Sequence, residues 1–128
     1  MEVLEYSRFM KLSLDEQKTL MRDYIHHLLD NHLSIQTIVH ANDVSIDRYI
    51  YLGSLPYNLH AIFFVNTIYV WNGQRDTYGA PVLTSNYIHY DGKHLLTSIF
   101  RPRVKQSQVD ISLVAKVKRI LKEKKVAY

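Results

Sequence analysis

Seven histidines and ten tyrosines are the side chains of this 128-residue chain best suited to chemistry, and no cysteine accompanies them. Lack of thiols removes disulfides, thiolate catalysis and every Cys-containing zinc site. A metal would have to be held by imidazoles and carboxylates at ligand spacing. His89 and His94 are the best-placed pair, because a two-residue turn at Asp91-Gly92 sets them opposite each other across a hairpin, with Asp43 or His60 as a third ligand. No motif of fixed spacing backs the pair, so chance pairing in tyrosine-rich strands is the stronger reading, and neither a metal nor another cofactor is expected. His26, His27 and His32 contain no i, i+4 pair of imidazoles. Asp23–His27 and His26–Asp30 do have that spacing, which surface ion pairs explain equally well.

Nucleophilic catalysis has no better support. None of the serines lies in a Gly-x-Ser-x-Gly elbow, and there is neither a phosphate loop nor a Gly-x-Gly-x-x-Gly run. A non-catalytic protein is therefore expected. A small metal-independent nuclease built from histidine, tyrosine and lysine is the third-ranked reading, since such sites have no linear signature.

Charge is distributed unevenly. From Arg101 onward there are nine basic side chains against two acidic, a net +7, whereas residues 1–100 carry −3. Lys116, Arg119 and Lys122 could meet the phosphates of a nucleic acid while strand tyrosines stack on its bases. A surface helix with lysines opposite its apolar stripe would look the same, and cations in a last turn also suit the helix dipole. The other candidate surface is Asp43, Asp47, Tyr49 and Tyr51. Asp47–Leu52 alternates at period two, committing Ile50 and Leu52 to a core with Arg48 at its edge. Asp47, Tyr49 and Tyr51 then face outward, where large rigid rings favour a protein contact.

The elements that would position these residues form a single α+β domain over residues 1–128. Its antiparallel sheet of about four to five strands is flanked by an N-terminal and a C-terminal helix. Ser13 and Glu16 form a capping box at the start of a helix whose stripe is Leu14, Met21, Tyr24, Ile25, Leu28 and Leu29, with Asn31 as its stop. Leu33–Val39 reads as a strand and His40–Asp43 as a turn. Gly53 and Pro56 break the Asp47–Leu52 strand. His60–Trp71 reads as one long interior strand, with Ile62, Phe64, Ile68 and Val70 on one face and Phe63, Val65, Tyr69 and Trp71 on the other. Asn72-Gly73 opens a loop through Gly79, and Asn86–Phe100 is a hairpin around Asp91-Gly92. Arg101-Pro102-Arg103 ends the sheet. Ser107 caps a last helix with the stripe Leu113, Val114, Val117, Ile120 and Leu121.

The segment Asp47-Arg48-Tyr49-Ile50-Tyr51-Leu52-Gly53-Ser54-Leu55 resembles the strand-to-turn segment of the small uracil-DNA glycosylase inhibitors carried on staphylococcal mobile elements. The Ile88–Ile99 hairpin falls where that family has a similar aromatic strand pair, and the order of elements agrees from about Leu20 onward. The resemblance implies a protein that imitates DNA in charge, with carboxylates in place of phosphates and an apolar pocket for the enzyme's wedge side chain. Here the approach Asn42–Asp47 carries only Asp43 and Asp47, and the basic tail is wrong for a DNA mimic. An inhibitor-like fold follows more readily than that target.

The leading expectation is a non-catalytic, cytoplasmic, protein-binding inhibitor, encoded by a phage or mobile element and directed at a host DNA-processing or defence enzyme. A basic nucleic-acid-binding module is the alternative. Residues 1–11 include Glu2 and Glu5 and lack a basic start followed by an apolar run, so no secretory signal is expected. The longest fully apolar run, Ala61–Val65, is too short to span a membrane.

Overall fold

The computed structural model describes residues 3–41, 43–83, 88–90 and 108–128. A short helix α1 (Tyr6–Met10) leads into α2 (Leu14–Asn31), followed by strands β1 (Gln36–Ala41), β2 (Ile46–Leu55), β3 (Leu59–Phe64), β4 (Thr67–Trp71) and β5 (Ile88–Tyr90), and then α3 (Gln108–Glu123). The strands form one antiparallel sheet in the order β1-β2-β3-β4-β5, a meander between two helical segments. The α+β class and the flanking helices are those expected. The Asp91-Gly92 turn, His94, the strand after it, Arg101–Arg103 and the Ser107 cap all lie outside the described residues.

Helix α2 starts where local chemistry demands. Ser13 Oγ accepts from the Glu16 amide at 3.2 Å, and Glu16 Oε1 accepts from the Ser13 amide at 3.3 Å, so two orphan donors are satisfied reciprocally. Its stripe of Met21, Tyr24, Ile25, Leu28 and Leu29 packs on Ile50, Leu52, Ala61, Phe63, Ile68 and Val70 of the sheet. Leu113, Val114, Val117 and Leu121 of α3 and Phe9 of α1 complete this helix-side core. No helix among the described residues is long and apolar enough to cross a membrane.

Strand β2 runs through Gly53 and ends before Pro56. Gly53 bulges rather than breaks it, because the pairing slips between Tyr51 and Gly53. The residue must be glycine twice over. Its φ is +149°, and a Cβ there would sit 2.5 Å from Leu28 Cδ1 and 3.3 Å from the His32 carbonyl oxygen. Removing that Cβ lets α2 lie close against β2.

The expected long strand His60–Trp71 is instead a hairpin. Val65 and Asn66 hold φ of +48° and +59°, and Phe64 pairs with Thr67, so they form a two-residue turn of the I′ kind. Asparagine tolerates that region but valine does not, which is why no turn is legible there. The fold-back changes which residues share a face. Phe63, Ile68 and Val70 point to the helices, whereas Ile62, Tyr69 and Trp71 join a second cluster on the opposite side. Strand β3 is covered on both faces, as an interior strand should be.

That second, loop-side core corrects another expectation. Tyr49 is only 8% exposed and Tyr51 is half-buried, so neither stands on an open surface. Residues 72–83 fold over them and bury Ala80 and Leu83 against Tyr49, Ile62, Tyr69 and Trp71. Trp71 Nε1 donates to the Gln74 carbonyl at 2.7 Å, and Asp76 Oδ1 accepts from the amides of Tyr78 and Ala80 at 2.9 and 3.0 Å. A single carboxylate thus folds the loop back over the sheet. Strand β1 begins at Gln36 rather than Leu33 and includes His40 and Ala41, so the following turn comes later than expected.

Candidate nucleic-acid interface

The C-terminal end of α3 carries the densest charge among the described residues. From Lys118 to Lys125 there are five basic side chains and one acidic, Glu123. Because Leu113, Val117 and Leu121 are committed to the core, Lys118, Arg119 and Lys122 rotate to the other side of the helix. The helix stops in a Schellman motif: the Val126 amide donates to the Leu121 carbonyl at 2.9 Å, and the Lys125 amide to that of Lys122 at 3.1 Å. Val126 packs back on the helix-side core beside Leu121, the hydrophobic contact that accompanies the motif. The left-handed position, normally glycine, is Lys125 at φ +58°. A non-glycine residue there costs about 1–2 kcal/mol.

The helix end and this turn border a shallow, open groove of about 680 Å³ lined by Lys118, Arg119, Lys122, Lys125, Val126, Ala127 and Tyr128. Four cations converge on one concave surface. The helix dipole contributes roughly half a negative charge at this end, far too little to cancel them. Tyr128 packs its ring edge-on against Phe63 of β3, with centroids 5.4 Å apart at 78°. The groove therefore abuts the sheet.

Lys116 does not belong to the groove. Its Nζ donates to Asp30 Oδ1 at 2.6 Å and lies 3.4 Å from His26 Nδ1, which ties α3 to α2. The hydrogen bond from Lys116 holds the Asp30 carboxyl below its usual range, while burial, followed by the charge of Lys116, lowers His26. Of the expected trio, Arg119 and Lys122 are brought together and Lys116 is diverted to a clamp. Lys118 and Lys125 take its place. The i, i+4 spacing of Lys118 and Lys122 could have revealed the first, but no local signal marks the backbone conformation of Lys125.

The acidic and aromatic foursome is divided. Asp43 is exposed, and Asp47 is half-buried opposite His40. Tyr49 stacks on Phe64 at 4.2 Å, and burial, then the nearby Asp47 carboxylate, raises its phenol. The Tyr51 hydroxyl lies 3.2 Å from Ser54 Oγ and 3.0 Å from His60 Nδ1. These contacts satisfy polar tips at the margin of the loop-side core. Burial lowers the pKa of His60.

His89 sits opposite Tyr69 in the β4–β5 ladder, while its expected partner His94 lies outside the described residues. Among the described residues, no group of three or more His, Asp or Glu side chains is arranged to hold a metal ion. No protein-family model matches the chain, and neither does any curated protein or solved structure.

Proposed function

We propose that the chain is a non-catalytic nucleic-acid-binding module whose contact surface is the cationic groove at the end of α3. The convergence of Lys118, Arg119, Lys122 and Lys125 on one concavity carries the reading. The strained backbone of Lys125 supports it, since a glycine would relieve the strain and lose a charge. Four phosphate contacts would give a log–log salt slope of about −3 on a single strand.

Fluorescence anisotropy with a labelled oligonucleotide, titrated from roughly 50 to 200 mM salt, tests the slope. Reversing Lys118, Arg119 and Lys122 to glutamate should abolish binding. Lys116→Glu should instead loosen α3 from α2, lowering thermal stability before it affects affinity. Binding that is indifferent to salt and to the triple reversal would remove the reading.

A second reading remains, a protein-binding inhibitor of a host DNA-processing or defence enzyme, in keeping with the resemblance of Asp47–Leu55. What favours it is a cluster at the β1–β2 end of the sheet, where Val39, Val44 and Ile46 stand exposed beside Asp43 and Asp47. Affinity capture from a bacterial lysate separates the two readings. A protein partner that survives nuclease treatment favours the inhibitor, and loss of all partners favours the nucleic-acid module.

A further inference from the structure

Two cavities meet at Tyr128. Beside the cationic groove, a second cavity of about 360 Å³ opens at the end of the sheet between Asp47, Arg48, Phe63 and Phe64, and Tyr128 lines both. The edge-on contact with Phe63 holds the ring, yet Tyr128 remains 54% exposed, so part of its surface is available to a ligand. We infer that this paired site takes single-stranded rather than duplex nucleic acid, with phosphates in the groove and one unstacked base carried past Tyr128 into the second cavity. The inference rests on the nucleic-acid reading proposed above and adds to it the strandedness of the ligand.

The chemistry of the two cavities differs in the way a nucleotide's two ends differ. The groove supplies four cations for the backbone. Tyr128 supplies the exposed aromatic wall of the second cavity, whose volume lies within the range of about 300–1,000 Å³ usual for small-molecule sites. Asp47 and Arg48 at its rim offer an acceptor and a fork of donors to the edge of a base. A duplex keeps its bases stacked inside and offers this surface phosphates alone. Only a strand with free bases uses both cavities.

The test compares three labelled probes of about twelve nucleotides, a length within the span of single-strand sites: oligo-dT, an abasic deoxyribose-phosphate strand and a duplex. Wild-type protein should bind oligo-dT about tenfold more tightly than the abasic strand, within the range for one stacked base. Tyr128→Ala should erase that preference, and Tyr128→Phe should retain it. Equal affinity of the wild type for dT and abasic strands, a preference for the duplex, or an equal loss on both strands in Tyr128→Ala overturns the inference and leaves the cationic groove standing. Failure to bind any of the three probes overturns both.

Discussion

The two faces of the sheet are buried by different means. On the helix side, aliphatic residues and Phe63 meet two long helices whose stripes repeat at 3.6 residues. On the loop side, among the described residues, Tyr49, Tyr69 and Trp71 meet an irregular segment, residues 72–83, held by local hydrogen bonds around Trp71, Gln74 and Asp76. The Arg75 guanidinium lies 5.3 Å from the Trp71 ring centroid and adds a cation–π contact to the cover. Aromatic residues with polar tips suit a thin cover, because their hydroxyl and imidazole groups reach neighbours at its margin. A cover held by local hydrogen bonds should also open at lower free energy than one built from helices.

The largest expected effects come from emptying each core in turn. Phe63→Ala removes a fully buried ring from the helix side and should cost about 3–5 kcal/mol in chemical denaturation. Tyr49→Ala removes the ring stacked on Phe64 and should cost somewhat less, about 2–4 kcal/mol, because the overlying loop can settle into the space. Were Tyr49 an exposed contact residue, the second substitution would leave stability within about 0.5 kcal/mol of wild type. Equal losses would show that the loop is as firm a cover as the helices.

The same contrast decides what the sequence reveals. Helices α2 and α3 are legible because their apolar stripes and the Ser13–Glu16 box are local patterns. The alternation of Asp47–Leu52 correctly separates its two faces, but alternation cannot say that Ala80 and Leu83, some thirty residues on, return to cover Tyr49. The Val65-Asn66 turn is hidden because it lacks the glycine that such turns favour. In the candidate site the charge run is visible, yet its division is not. Lys116 is diverted by Asp30, 86 residues away, and Lys125 is placed by a backbone conformation that lysine seldom adopts.

Lys125 offers a smaller effect of opposite sign. Lys125→Gly relieves the left-handed strain that ends the helix-side cover and should stabilise the protein by about 1 kcal/mol. If the groove binds phosphates, the same change should weaken nucleic-acid binding and reduce the salt slope by about one charge's worth. Denaturation and anisotropy on one variant then move in opposite directions. A gain in stability with unchanged affinity would mean that Lys125 sits outside the contact surface.

The smallest effect distinguishes the faces by pH, since each margin holds one histidine with a lowered pKa. Burial lowers His60 on the loop side, whereas burial and then the Lys116 charge lower His26 on the helix side. Both folded values lie below 6.5, so between the folded and unfolded values the unfolded chain binds the proton that the folded chain refuses. Stability is therefore intact above about pH 6.5 and falls as the pH drops below it. Both side chains are half-buried rather than enclosed, so each contribution should stay under about 1 kcal/mol. Salt separates them: at about 0.5 M it screens the repulsion between Lys116 and His26 but leaves the burial of His60 unchanged. Denaturation midpoints between pH 7.5 and 5.5 should accordingly lose less at high salt in the His60→Gln variant than in the wild type, whereas His26→Gln should retain a salt-independent loss. A loss that salt leaves untouched in the His60→Gln variant would mean that burial alone lowers His26 and that the charge of Lys116 adds nothing to it.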